Sequence, residues 1–163
     1  MKVAVLMGSD SDYDVVSKGL EILKSFEIPY VVRVLSAHRT PDDALGFSKN
    51  AEAEGFEVII AAAGKAAHLP GVLAAVTPLP VIGLPVYSST FDGMDALLAM
   101  VQMPKGIPVA TVAVNGAENA ALLAAQILGV KYPELREKMK AYKEQLAREV
   151  REKDRLLQEK LNQ

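Results

Sequence analysis

The chain has no cysteine, which excludes disulfides, thiolate nucleophiles and cysteine-based metal sites, and is compatible with a reducing compartment. Histidine is nearly as scarce. His38 and His68 are the whole imidazole supply, so chemistry that needs a ring titrating near neutrality falls on these two. No uninterrupted apolar run reaches the roughly eighteen residues needed to cross a bilayer, and the sequence opens directly into a strand-like segment with no evident signal peptide. The expectation is a cytoplasmic protein without membrane association. Basic charge is not in excess either: a formal net charge of −2 leaves no concentrated Lys and Arg surface of the kind nucleic acid requires. Three motifs are also missing: the Gly-x-x-x-x-Gly-Lys-Ser/Thr phosphate loop, the Gly-x-Gly-x-x-Gly dinucleotide fingerprint and the His-Glu-x-x-His metal helix. Nothing in the sequence asks for a metal or an organic cofactor, and the expected chemistry is proton transfer on a small anionic metabolite.

What is present is a chain of 163 residues, half of them apolar, enough for one domain spanning 1–163 with a real hydrophobic core. Lys2–Met7, Tyr30–Leu35, Val58–Ala62, Val81–Leu84 and Val109–Val114 are short and rich in Val and Ile, and are predicted strands. Four of the five are nearly all apolar, as parallel strands covered on both faces are, and helical stretches between them supply the crossovers. The predicted fold is a three-layer, doubly wound α/β/α domain.

The helices are well punctuated. Thr40-Pro41-Asp42-Asp43 offers a cap, a first-turn proline and first-turn acids, predicting a helix from Pro41 to about Glu54 that ends at Gly55. Asn115-Gly116-Ala117-Glu118 resembles a capping box for a helix Ala117–Leu128 that stops at Gly129. A shorter helix is expected around Met94–Met100. From Pro133 onward the chain is highly charged and free of glycine, predicting one long helix over 133–163. Leu135, Met139, Tyr142, Leu146, Val150, Leu157 and Leu161 draw a single apolar stripe along it. That stripe packs on its own domain, on a neighbouring copy, or on a foreign partner.

In open α/β sheets ligands bind outside the carboxyl ends of the strands, so the loops after the strands carry the functional reading. After the first strand, Gly8-Ser9-Asp10-Ser11-Asp12 leads into a helix near Tyr13. Glycine permits close approach, and serine hydroxyls with helix-start N–H groups can hold a phosphate or carboxylate. Asp12 would repel phosphate and better suits a sugar hydroxyl or an amine. A turn that only caps a helix accounts for the run equally well. After the second strand comes Ser36-Ala37-His38-Arg39-Thr40-Pro41. His38 precedes the helix begun by Thr40-Pro41 and so lies in the loop, where it can exchange protons beside an Arg39 that favours its neutral form and can grip phosphate. After the third strand, the small residues of Ala61 to Gly71 let main chain approach a ligand and can wall a narrow chamber. His68 in that stretch is either a hydrogen-bonded structural histidine or part of the site, and Lys65 either a solvated lysine or an anion attractor. The Tyr87-Ser88-Ser89-Thr90 loop could bind sugar or merely turn the chain.

Five motifs in consistent order are specific enough to carry a resemblance: Met7 to Asp12, Ser36 to Pro41, Ala66-Ala67-His68-Leu69-Pro70-Gly71, Val101-Gln102-Met103-Pro104, and Asn119 to Gln126. Together they strongly resemble the N5-carboxyaminoimidazole ribonucleotide mutases of bacterial-type purine biosynthesis, over about residues 2 to 130. The resemblance implies an isomerisation that moves a carboxylate from the exocyclic nitrogen of an aminoimidazole ribonucleotide to a ring carbon, through release and recapture of carbon dioxide, without ATP or metal. It implies His38 as the proton carrier. Ser9, Asp12 and Arg39 would hold the ribose phosphate portion beside Gly8, with Ser36 supporting, and Ala63, Gly64, His68 and Leu69 would line the chamber for carboxylate and carbon dioxide. It further implies an octamer of flavodoxin-like domains with active sites near subunit contacts, which makes a neighbouring copy the favoured partner for the terminal stripe.

One departure matters. Where the family commonly has Gly-Ala-Gly-Gly before Ala-Ala-His, this chain has Ala62-Ala63-Gly64-Lys65, so a lysine replaces a small flexible residue beside the carboxylate chamber. Two other readings stay open on the sequence. One is a related enzyme that carboxylates aminoimidazole ribonucleotide directly with carbon dioxide; the other is a non-catalytic nucleotide-binding module with the terminal helix as its output.

Overall fold

A computed structural model describes residues 1–162. Five parallel strands, β1 (Val3–Met7), β2 (Tyr30–Val34), β3 (Val58–Gly64), β4 (Val81–Val86) and β5 (Ala110–Thr111), form one sheet in the order β2-β1-β3-β4-β5. β1, β3 and β4 are buried along their whole length, and their side chains divide by the two-residue period of a strand. Val3, Val5, Met7, Val58, Ile60, Ala62, Ile82 and Leu84 face one core with α1 (Tyr13–Ser25) and α5 (Ala117–Gly129). Ala4, Leu6, Ile59, Ala61 and Val81 face the other, with α2 (Pro41–Asn50), α3 (Leu69–Ala74) and α4 (Met94–Val101). The three-layer, flavodoxin-like arrangement expected from the sequence is present. β2 is the edge strand and departs from the all-buried expectation, with Tyr30, Arg33 and Val34 exposed.

The other edge differs from the sequence reading in length. Residues 109–114 are predicted as a strand, yet only Ala110 and Thr111 pair with β4. Pro85 explains the truncation: its carbonyl points to this side and accepts from Asn115 N at 2.8 Å, so the N–H that proline lacks is the one the ladder needs there. The helix from Pro41 ends at Asn50, although hydrogen-bonded turns continue through Glu54 to Gly55, whose φ of 82° stops them. α3 was not anticipated, because its residues read as part of a small-residue loop; Pro70 in its first turn is the signal that marks it.

Neither expected cap forms. Thr40 turns its hydroxyl back on its own loop, and the capping box fails because the Asn115 side chain reaches across to accept from Tyr87 N at 2.9 Å.

The long terminal helix is α6 (Pro133–Leu161). Leu135 and Met139 are buried against α5, and Tyr142 meets Phe26 edge-on at 6.0 Å between centroids. Beyond Tyr142 the stripe leaves the domain: Leu146, Val150, Leu157 and Leu161 are exposed. No helix among the described residues is long and apolar enough to cross a membrane.

Candidate active site

The sheet order reverses between β1 and β3, because the chain runs outward from β1 to β2 and then returns to β1's other side. A crevice opens at such a switch point. Here it is a pocket of about 560 Å³, walled by the loops after β1, β2, β3 and β4. Gly8, Ser9, Asp12, Ser36, His38, Arg39, Ala63, Gly64 and Leu69 all line it. The tenth residue expected from the sequence, His68, reaches it through His38: the Nε2 of His38 lies 2.8 Å from the Nδ1 of His68, with the rings edge-on at 4.9 Å. Such a contact needs one N–H and one lone pair, so the two rings share a proton between them.

The loop after β1 is held by its own serines. Ser9 Oγ accepts from Ser11 N at 3.3 Å and from Ser11 Oγ at 2.9 Å, closing a single 3-10 turn over Asp10–Asp12 before α1. Asp12 is partly buried behind this turn. Burial pushes its carboxyl above the usual carboxylate range; the Ser11 hydroxyl pulls it down, and the charge of Asp10 pushes it up again. A Cβ at Gly8 would meet nothing within 4 Å, so the missing side chain keeps open space at the pocket wall.

The loop after β2 is tied more densely. Ser36 Oγ accepts from the backbone N of Arg39 at 3.1 Å and of His38 at 3.4 Å, while Thr40 Oγ1 accepts from Ser36 N at 3.0 Å. Arg39 then crosses to the first loop, its Nη2 donating to Gly8 O at 2.8 Å and its Nε to Ser36 Oγ at 3.4 Å. The sequence suggested that Arg39 would serve a phosphate. The structure gives it a second job, joining two loops, which still leaves guanidinium donors for an anion.

The loop after β3 is tight and strained. Gly64 lets the end of β3 close on β4: a Cβ there would stand 3.2 Å from Val86 O. Lys65 follows with φ of 52°, a left-handed conformation that costs a residue with a side chain about 1–2 kcal/mol. Its carbonyl accepts from Ala67 N at 2.8 Å, and that of Ala66 from His68 N at 2.9 Å, which turns the chain into α3. From the loop after β4, Tyr87 and Ser88 join the wall. The Ser88 hydroxyl is buried with no hydrogen-bond partner, a group that a bound ligand could satisfy.

Sequence reasoning left Tyr87 and Ser88 undecided and did not single out Ala37, Ala66 or Val86, which also line the pocket. The first two were within its own motifs, and Val86 follows from where β4 ends. Among the described residues no three His, Asp or Glu side chains gather as a metal-binding cluster.

The comparisons decide the family. The family model described as AIR carboxylase matches residues 2–149. The chain belongs to this family. An N5-carboxyaminoimidazole ribonucleotide mutase of Thermotoga maritima is 56% identical over 158 residues, covering 97% of this chain and 92% of that protein. The protein of the same name from Pyrococcus horikoshii is 54% identical, covering 96% and 89%. Among solved structures, the PurE crystal structure from Treponema denticola superposes with a TM-score of 0.86 at 34% identity, covering 94% of this chain and 96% of that one.

Proposed function

We propose that this protein is an isomerase that converts N5-carboxyaminoimidazole ribonucleotide into 4-carboxy-5-aminoimidazole ribonucleotide in purine (IMP) biosynthesis. The observation that carries the reading is the meeting of the only two histidines, 2.8 Å apart, at the pocket, in a chain whose relatives bear the mutase name. The ribose phosphate portion is common to substrate and product, and it lies on the side of Ser9, Asp12, Ser36 and Arg39. The carboxylate moves on the other side, against Ala63, Gly64 and Leu69.

The step balances with one proton carrier. As the carbamate N–C bond breaks and carbon dioxide leaves, its electron pair returns to the exocyclic nitrogen, which takes a proton delivered through His38. The ring carbon then forms the new C–C bond to carbon dioxide, and its hydrogen leaves as a proton to His38, restoring the starting state. Freed carbon dioxide must not escape between the two halves, which favours a close-packed wall of small apolar residues over an open one. His68 orients the His38 ring through its Nδ1, and substrate takes over the Nε2 of His38 on binding.

The working form is a homo-octamer in the cytoplasm. An apolar surface left uncovered beside the pocket supports assembly: Phe91, Met94, Leu98 and Val101, on and before α4, are all exposed. The outer stripe of α6 offers a second such face.

Purified protein should convert the carbamate without ATP. If only aminoimidazole ribonucleotide with bicarbonate supports efficient turnover at low bicarbonate, the protein is the direct carboxylase instead. Ligand binding with no turnover of either would make it a binding module.

A further inference from the structure

Lys65 has no role in the fold that its contacts reveal. Among the described residues it makes no side-chain hydrogen bond and no ion pair, and it is the only residue with a side chain that lines the pocket from a left-handed backbone. A glycine would occupy that conformation without strain. Strain held at a pocket wall by a residue that supports nothing points to the ligand as its beneficiary.

Its position narrows which part of the ligand. The sheet order puts the loops of β1 and β2 on one side of the pocket and those of β3 and β4 on the other. Arg39 is the cation of the first side. Lys65 is the cation of the second, one residue beyond Gly64 and three before His68. Lys65 therefore lines the pocket from the same loop as His68, on the side opposite Arg39.

Building on the mutase reading above, we propose that Lys65 is a specificity-determining residue that holds the migrating carboxylate of substrate and product. Aminoimidazole ribonucleotide has the same ribose phosphate and ring but no carboxylate, so Lys65 discriminates against it. The charge would favour retention of carboxylated ligands over the decarboxylated ribonucleotide. A hydrogen bond to a charged partner of this kind corresponds to about tenfold or more in affinity.

The test is calorimetric titration of wild type, Lys65→Gly, Lys65→Met and Lys65→Arg with three ligands: the carboxylated product, aminoimidazole ribonucleotide and ribose 5-phosphate. Lys65→Gly relieves the backbone while Lys65→Met keeps its strain, so agreement between them separates charge from conformation. Both should bind the product about tenfold more weakly and the other two ligands as wild type does, with Lys65→Arg retaining most of the product affinity. Equal losses on all three ligands would assign Lys65 to the phosphate, and unchanged product affinity would remove it from the site; either overturns the proposal. Wild-type turnover of the carbamate, measured alongside, keeps the two readings apart. Its absence sinks the mutase reading, whereas its presence with an unaltered Lys65→Met sinks only the role of Lys65.

Discussion

Where β1 and β2 deliver their loops, nearly every polar side chain already has a partner; where β3 and β4 deliver theirs, Lys65 and Ser88 have none among the described residues. On the first side Ser11 bonds Ser9 within one loop, Ser36 bonds Thr40 and Arg39 within the other, and Arg39 ties the two loops through Gly8 O. On the second, Lys65 is strained and Ser88 has a buried hydroxyl with nothing to bond. A prearranged wall needs little ordering when a ligand arrives, which suits a group that stays put through a reaction. An open wall is completed only by what binds there, which suits the group that moves. The two histidines join the sides, His38 coming from the loop of β2 and His68 from that of β3.

The largest effect should come from breaking this junction. His38→Asn keeps a polar side chain of similar reach and removes the proton carrier, so turnover of the carbamate should fall by about 10²–10⁴. Affinity for the product should change little, because the ribose phosphate side keeps its own bonds. Steady-state kinetics with parallel calorimetry checks both halves, and a variant as active as wild type would end the role given to His38.

Arg39→Ala tests the tied side alone. It removes the bond to Gly8 O and the donors available to an anion, so affinity for every ribonucleotide, carboxylated or not, should drop by about tenfold. The maximal rate should be less affected than KM. Protein stability should shift by no more than about 1 kcal/mol, since the side chain is solvent-exposed. A loss confined to carboxylated ligands would mean that the two sides are assigned the wrong way round.

Legibility in the sequence follows the same division. β1, β3 and β4 could be read because burial on both faces leaves only apolar residues, and the pocket because loops after parallel strands converge at a switch point. What could not be read depends on partners distant in sequence. β5 stops short because Pro85 of the neighbouring strand withholds an N–H, and the capping box fails because Asn115 serves Tyr87 N instead. The loop motif likewise offered Arg39 as an anion ligand but could not show its bond to Gly8, and the family resemblance marked Lys65 as a departure without the φ that gives the departure its meaning.

The smallest effect concerns Asp12, the one group on the tied side that its surroundings do not favour. Burial raises its carboxyl above the ordinary range, whereas in the unfolded chain it titrates near pH 3.9, roughly the free aspartate value. Between these two values the folded state binds more protons than the unfolded state, so stability falls as pH rises. The contribution is therefore fully present below the unfolded pKa and lost as pH passes the folded one, opposite to a salt-bridged carboxylate. Asp12→Asn cannot ionise and should remove that slope. Melting temperatures of variant and wild type, compared at several pH values from about 3 to 7, should diverge in the variant's favour as pH rises, by on the order of 1 °C. The same substitution should weaken ribonucleotide binding, because the acceptor for a ribose hydroxyl has lost its charge. A difference in melting temperature that stays constant with pH would mean that Asp12 is as well accommodated as its neighbours, and the tied side would then hold no unfavourable group for a ligand to relieve.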